Sequence, residues 1–583
     1  MLRLRSLLFV AHLLSSSSFR KHLSEDIEDE MVVQLLNLLL EAAILSIETY
    51  ESLTLLPSKL QRSLVTQTER VLEHCLSLLP SQVFFHLLAK LISSTLPSVR
   101  RRALEVVTGK LSSAGQNMDS DALAELVEPM VKLAISEENA HIQQLALMTL
   151  RQLTRQVPAS SLSPAASSFT PAFLSSITNP SVLGSAIISI SEVLHCLGAR
   201  AVVYVPPFTT WLLKRLDDLM EKLVSPEDDE KETIIVASSV ILGLQKLLES
   251  FSGFMNPSVS HLVVATCKMS ANMTVAPRVK GLAGSLSKNI PPHTLLPLAK
   301  NLLESIWSEE SAVATLMDIL ADSAKTLEKN QLGAVSKQYV DFFMFAFSYR
   351  EKQEKSGDPE VIQKVEQKII DSFLTVTLRL SLEDFRPILY RVMNAQFLSK
   401  KSSHLTTLFH VVHNVGARLK SLFSFALDVL VSQATTVLSS QQDKPLILLK
   451  ASLTALTTAL TYNKVEGLTT RQYEELVSAL LVTYNVDDVP VEQLEDCLAQ
   501  LAAATEDDTN WKHLNYQVLL SLRAGRVDVR VAVLQVLEKF VSARTDTYLA
   551  VLPDAVPFMA ELLEDDDQVD IQTLVSGTLL AYR

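Results

Sequence analysis

The stretch that decides the fold is Val99-Arg-Arg-Arg-Ala-Leu-Glu-Val-Val107. Its apolar residues return at intervals of three and four, the spacing that gathers them on one face of a helix. A polar turn at Ser93 to Ser98 precedes it, and before that Phe84, Leu87, Leu88 and Leu91 keep the same spacing behind Leu78-Leu-Pro80. The pattern is therefore a helical hairpin: a first helix opened by proline, a polar turn, and a second helix opened by an apolar anchor.

The hairpin recurs outward from that point. Leu126-Val-Glu-Pro129 is followed by His141-Ile-Gln-Gln-Leu-Ala-Leu147, and Phe169-Thr-Pro171 by Ser181-Val-Leu-Gly-Ser-Ala-Ile187. The second-helix anchors Val99, Ile142 and Val182 are 43 and 40 residues apart, and the prolines Pro80, Pro129, Pro171 and Pro206 are 49, 42 and 35 apart. Two helices per period of about 40–47 residues is the signature of HEAT or armadillo arrays. A hairpin this thin cannot bury its own apolar face, so it must stack on the next. The expected fold is all-α, an α-solenoid, with roughly thirteen hairpins at about 44 residues each.

Composition agrees. Of 583 residues only 14 are glycine, while 48% are hydrophobic. That rules out wholesale disorder and leaves little material for strands and tight turns. There is no G-x-G-x-x-G, no G-x-x-x-x-G-K-[ST] and no G-x-S-x-G, so the usual nucleotide cradles and nucleophile elbows are missing. A net charge of −13 disfavours a surface that coats nucleic acid generally, yet leaves room for a local basic patch. Cys75, Cys196, Cys267 and Cys497 stand far apart in apolar helical stretches and read as small buried hydrophobes.

Two segments imitate other things. Met1-Leu-Arg-Leu-Arg, the apolar run to Leu14 and Ser15 to Ser18 resemble a signal peptide, and Arg3, Arg5, Arg20 and Lys21 resemble a transit peptide. The reading adopted is a helix of the stack, entered in mid-array. No stretch reaches 18 uncharged apolar residues; Thr233 to Leu244 comes closest, so no membrane span is expected. The sequence divides into HEAT-like repeats over residues 1–234, a specialised helical section over 235–380 with Phe342, Phe343, Phe345, Phe347 and Tyr349, and further HEAT-like repeats over 381–583.

The search for chemistry yields little. His404, His410 and His413 form the tightest histidine group, and His410 with His413 is half a metal site; no ligand stands at the right spacing to complete it, so surface or interface histidines are expected. Asp217-Asp218 and Asp487-Asp488 fall at helix ends or turns, where capping and solvation explain them. No catalytic, cofactor-binding or metal-binding residue is assigned, and no small-molecule substrate. Arg100, Arg101 and Arg102 open a second helix and carry two readings, a bond to the neighbouring turn's acids or a phosphate or partner contact. Arg526, Arg530, Lys400 and Lys401 invite the same pair. The acidic runs Glu25 to Glu30 and Glu227 to Glu232 are solvated turns or docking points for a basic partner.

One resemblance goes further. Tyr548-Leu-Ala-Val-Leu-Pro-Asp-Ala-Val-Pro-Phe-Met-Ala-Glu-Leu-Leu-Glu-Asp-Asp-Asp567, preceded by Val529-Arg530, resembles the closing repeat of the HEAT repeat-containing protein one, or U-three-protein-ten, family of nucleolar assembly factors. Ala276-Pro-Arg-Val-Lys-Gly281 and Leu295-Leu-Pro-Leu-Ala-Lys-Asn-Leu-Leu-Glu-Ser-Ile-Trp307 are similar to the domain that precedes that family's last repeats. Members are much longer, so the chain is expected to be a C-terminal fragment, an isoform or an incomplete gene model. Its 568–583 segment is less charged than the family's last helix, which would leave Leu574, Val575, Leu579 and Leu580 facing water. The resemblance implies a non-enzymatic scaffold of the nucleus and nucleolus. Its expected partners are processome proteins, the U-three small nucleolar ribonucleoprotein and, at local contacts, pre-ribosomal RNA. Its expected roles are 18S pre-rRNA processing and support of RNA polymerase I transcription. An importin-like transport adaptor is the alternative.

Overall fold

The computed structural model describes residues 2–16, 42, 43, 46, 58–78, 81–113, 120–224, 230–354, 357–440, 445–485, 490–524, 526–544, 548, 550–565, 572 and 575. Pro80, the acidic run 25–30, residues 227–229 of the run 227–232, Asp487-Asp488 and nearly all of the last helix lie outside them; Val575 of that helix, expected to face water, is buried. All regular structure among the described residues is helical. The chain divides into two compact units, Met1–Ile290 and Pro291–Arg583.

In the first unit α1 (Leu2–Ser15) packs on α2 (Ser58–Leu78). Hairpins follow: α3 (Ser81–Ile92) with α4 (Pro97–Ser113), and, past the single turn α5 (Ser120–Ala124), α6 (Val127–Ser136) with α7 (Ala140–Leu153). After α8 (Ser163–Ser168) come α9 (Pro171–Ser176) with α10 (Pro180–Leu197), α11 (Val205–Val224) with α12 (Glu230–Phe251), and α13 (Val259–Met269) with α14 (Ala276–Asn289). The second helices form a continuous row, α4 on α7, α7 on α10, α10 on α12 and α12 on α14.

The anchors sit where the spacing puts them: Val99, Ile142 and Val182 are all buried at the start of α4, α7 and α10. Asn139 and Asn179 cap α7 and α10, each accepting from two backbone N–H groups, so each polar turn also starts the helix that follows it. The repeat period is visible as hydrogen bonds. Thr108 and Thr149, 41 residues apart, join α4 to α7 at 2.8 Å, and Ser189 donates to the carbonyl of Leu147, 42 residues back, at 2.8 Å. Between α10 and α12 the helices meet closely at Gly243, where a Cβ would stand 2.9 Å from Cγ2 of Ile187.

In the second unit the hairpins are α15 (Pro292–Ile306) with α16 (Glu310–Thr326), α17 (Lys329–Ala346) and the short α18 (Tyr349–Gln353) with α19 (Pro359–Thr377), and α20 (Leu382–Leu398) with α21 (Ser402–Leu419). Then come α22 (Leu427–Ser439) with α23 (Leu446–Tyr462), α24 (Thr470–Val482) with α25 (Val491–Ala504), α26 (Asp508–Leu520) with α27 (Val527–Ala543), and finally α28 (Leu552–Asp565). Here too the second helices run as a row, α16, α19, α21, α23, α25 and α27. The aromatic run expected to be special forms a ring cluster: Phe343 and Phe347 each meet Phe373 of α19 edge-on, at 5.6 and 5.4 Å.

A test on length and hydropathy passes three helical stretches that the strict count of uncharged residues set aside: 180–201, 231–254 and 402–439. In the stack 67%, 56% and 50% of their apolar windows are buried. A second helix packs against its own hairpin and against both neighbours in the row, and that position explains such apolarity without a bilayer.

Candidate functional site: a groove over a buried carboxylate

The second helices carry apolar stripes, and three of them bury a glutamate: Glu192 of α10, Glu495 of α25 and, most deeply, Glu366 of α19. Ile362, Val365, Ile369, Ile370 and Phe373 are buried on its core face, and so is Glu366 among them. A buried carboxylate must be paired. Arg350 of α18 supplies the pair in a two-pronged contact, Nε to Oε1 at 3.0 Å and Nη2 to Oε2 at 2.5 Å. From α21, Thr407 donates Oγ1 to Oε1 at 2.5 Å, and His410 places Nδ1 2.7 Å from Oε2. Burial alone would raise the Glu366 pKa; the bonds from Arg350 and His410 outweigh it and hold the group at about 2. An ionised carboxylate only accepts, so His410 donates from Nδ1 and turns Nε2 the other way.

A second bridge runs parallel. Glu351 of α18 accepts from Lys401 and, at 2.7 Å, from Nε2 of His404. The two bonds hold its carboxyl at about 2, Lys401 acting most strongly. α21 is thus fastened to α18 and α19 by two histidine–carboxylate contacts on adjoining turns.

Beside this hub lies a groove of about 490 Å³ between α19, α21 and α23, reached by His410, His413, Asn414, Gln367, Lys450 and Thr454. Gln367 and Asn414 exchange amide bonds across its floor, at 3.0 and 3.4 Å. His413 bonds Oγ1 of Thr458 at 2.7 Å, and burial, aided by the charge of His410, lowers its pKa. The groove therefore presents amide, imidazole and ammonium groups over a floor tied by hydrogen bonds. A carboxylate held at about 2 with both oxygens engaged is a poor proton acceptor at neutral pH, so the arrangement suits docking rather than proton transfer. Among the described residues no group of three or more His, Cys, Asp or Glu side chains is disposed to hold a metal ion.

The arginines singled out in the sequence are dispersed. Arg100 bonds the carbonyls of Ser94 and Thr95, each at 2.9 Å, and pairs with Glu137 in the next hairpin's turn at 2.8 Å. Arg101 and Arg102 both reach Glu105 on their own helix, at 3.7 and 2.8 Å. Arg526 pairs with Asp528 at 2.6 Å and remains exposed, while Arg530 lines a small hollow with Arg523, Phe558 and Glu561. Lys401 belongs to the Glu351 bridge, and Lys400 occupies a left-handed turn with φ 55°. Of the cysteines, Cys267 and Cys497 are buried and Cys196 is half-buried.

His404, His410 and His413 do converge on one structure, whereas Glu366 and Arg350 were not foreseen. The signal was available: a glutamate standing at a core position of a helical stripe.

These features define the class: stacked helical hairpins of HEAT type, with polar side-chain networks joining neighbours one period apart. Residues 331–466, which hold the whole Glu366 hub and its groove, match the BP28CT (NUC211) domain. The chain is 26% identical over 614 residues to HEAT repeat-containing protein 1 of Homo sapiens, covering 96% of this chain and 28% of that protein. It is 24% identical over 530 residues to U3 small nucleolar RNA-associated protein 10 of Schizosaccharomyces pombe, covering 86% and 30%. The chain carries a BP28CT domain and is a homologue of these two proteins; it spans less than a third of either. Among solved structures the karyopherin Kap121p bound to the extreme C-terminus of the phosphatase Cdc14p aligns with a TM-score of 0.42 at 15% identity, over 96% of this chain and 59% of that one.

Proposed function

We propose that this chain is a scaffold segment of nucleolar ribosome assembly, working in small-subunit 18S pre-rRNA processing with the U3 ribonucleoprotein and in support of RNA polymerase I transcription. The observation that carries the reading is the relationship, over most of the chain, to proteins named for HEAT repeats and for U3 small nucleolar RNA. The physical features suit it. A row of parallel second helices offers repeated polar faces, and affinity accumulates over several modest contacts. The Glu366 groove is one such face, firm enough to dock a protein segment without reshaping.

With a net charge of −13, most contacts of this chain are to proteins, and RNA is touched at local cations, Arg101 and Arg526 among the exposed ones. Residues 235–380 form the family-specific section of this reading, flanked by HEAT-like repeats.

Affinity purification of the chain from nuclear extract, with protein and RNA both identified, tests the proposal. Recovery of small-subunit assembly proteins together with U3 RNA is expected. Recovery of nuclear-transport GTPase and cargo in their place would overturn it.

A further inference from the structure

The acidity of this chain is not evenly spread. From Ser250 to Ile290 there is no aspartate or glutamate at all, in a sequence that has 65 of them. The same stretch carries Lys268 on α13 and Arg278, Lys280 and Lys288 on α14, all exposed. None of the four makes an ion pair or side-chain hydrogen bond with another described residue. Several other cations are paired: Arg100 with Glu137, Arg155 with Glu192, Lys539 with Glu495 and Asp496. Two carboxylates from packed helices do touch α13 and α14, each on a polar side chain and neither on these four cations: Glu249 of α12 accepts from Gln245 and from Ser285 of α14, and Asp217 of α11 bonds His261 of α13.

The helix geometry orders these charges. Lys280, Gly284 and Lys288 follow at intervals of four, so they share one face of α14, with the two ammonium stems roughly 12 Å apart along the axis. Gly284 between them has open space where a side chain would be. Between the two lysines the face is thus bare backbone flanked by cations.

One exposed aromatic belongs to the same edge. The α12–α14 register is fixed by Gln245 opposite Gly281 and by Glu249 bonded to Ser285 at 2.9 Å. One turn further, Lys288 comes level with the Ser252–Phe254 turn that follows α12, whose Phe254 is 57% exposed. A cation that takes a phosphate beside a ring that can stack on a base is the recurring unit of single-stranded nucleic-acid binding.

We propose that the cationic face of α13 and α14, with Lys268, Arg278, Lys280 and Lys288 as phosphate contacts and Phe254 as a stacking residue, is a binding surface for single-stranded RNA. The proposal rests on the assembly reading above only for its biological setting, and it places the main RNA contact away from the arginine clusters.

The test is fluorescence anisotropy of the full chain with a labelled 20-nucleotide oligouridine over a salt series, with polyglutamate as competitor. Lys280→Glu/Lys288→Glu should weaken binding at least tenfold, and the salt slope should flatten by about 1.4, since a single-strand phosphate contact contributes about 0.7. Phe254→Ala should weaken binding roughly tenfold with the slope unchanged. The neutral pair Lys280→Gln/Lys288→Gln should give an intermediate loss with an unaltered circular-dichroism melt. Lys59→Glu/Arg62→Glu on α2 makes the same charge change elsewhere and should cost much less. An unbound oligouridine, equal affinity in Lys280→Glu/Lys288→Glu, equal loss in the α2 control, or displacement of RNA by polyglutamate at equal charge would each overturn the proposal. Co-purification of assembly particles separates the two readings. Particles retained by Lys280→Glu/Lys288→Glu with oligouridine affinity unchanged defeat this surface and spare the assembly role. Specific oligouridine binding without particles defeats the assembly role and spares this surface.

Discussion

His410 and Glu366 stand 44 residues apart and 2.7 Å from one another, one repeat period closed by a single hydrogen bond. Arg350 completes the pair from a third helix, so α18, α19 and α21 are held by one buried anion. Removing that anion strands a guanidinium whose side chain is only 11% exposed. Glu366→Ala should therefore lower stability by about 3–5 kcal/mol, the range for breaking a buried pair from one side. Urea unfolding and hydrogen exchange of the α19 and α21 amides would show it. Arg350→Met combined with Glu366→Leu should recover most of the loss; an Ala variant as stable as the parent would mean the pair is dispensable.

The same carboxylate gives a pH dependence of known sign. Its folded pKa, about 2, lies below the ordinary 4.5, so its contribution is fully present above pH 4.5 and fades as pH falls toward 2. Glu351, also held at about 2, adds to the same window, though more weakly because it is partly solvated. His413 acts higher: its folded pKa is lowered by burial and by His410, so the unfolded chain binds its proton first and stability drops as pH falls below about 6.5. Unfolding midpoints of the second unit measured from pH 8 to 3 should show two declines. Glu366→Gln should remove much of the lower one, and His413→Gln should flatten the upper.

Arg100 and Arg101 are neighbours with opposite prospects. Arg100 is half-buried, ties two carbonyls at the end of α3 and reaches Glu137 across the repeat boundary. Lysine cannot reproduce that three-way contact, so Arg100→Lys should cost about 1–3 kcal/mol. Arg101 makes a loose 3.7 Å contact in solvent, and Arg101→Ala should fall within about 0.5 kcal/mol of the parent. Parallel thermal melts would separate the two; equal losses would contradict the assignment of Arg100 to the joint.

The hairpins were readable because their signals are local. Ile142 and Val182 each lie three residues after an asparagine that caps the helix, so turn, cap and apolar anchor are written side by side. The His404, His410 and His413 cluster was visible as spacing, but its partners were not, since Glu351 and Glu366 come from helices 53 and 44 residues earlier. Position 366 could have been marked by a charge on an apolar stripe; which cation answers it depends on how α18 docks, and no local pattern encodes that. The basic face of α14 escaped notice for a different reason. Lys268 of α13 and Arg278, Lys280 and Lys288 of α14 never form a run, and the informative fact is the lack of acids over residues 250–290, which emerges only once exposure shows that all four face solvent.

Glycine offers the sharpest contrast between packing and propensity. Alanine is worth about 1 kcal/mol over glycine inside an exposed helix, and Gly109 of α4 has no atom within 4 Å of an added Cβ. Gly109→Ala should therefore stabilise the first unit by about 0.5–1 kcal/mol. At Gly243 the added Cβ would meet Cγ2 of Ile187 at 2.9 Å and Oγ of Ser191 at 3.0 Å, and both belong to the tightly packed α10. Overpacking costs about 1–3 kcal/mol, which exceeds the propensity gain, so Gly243→Ala should destabilise. Because stacked repeats couple mainly to their neighbours, the loss should appear first as faster amide exchange in α10 and α12, ahead of any change in α4. Two stabilised variants, rather than one of each sign, would show that α10 and α12 can part to admit a methyl group and that their close approach is not a constraint on the stack.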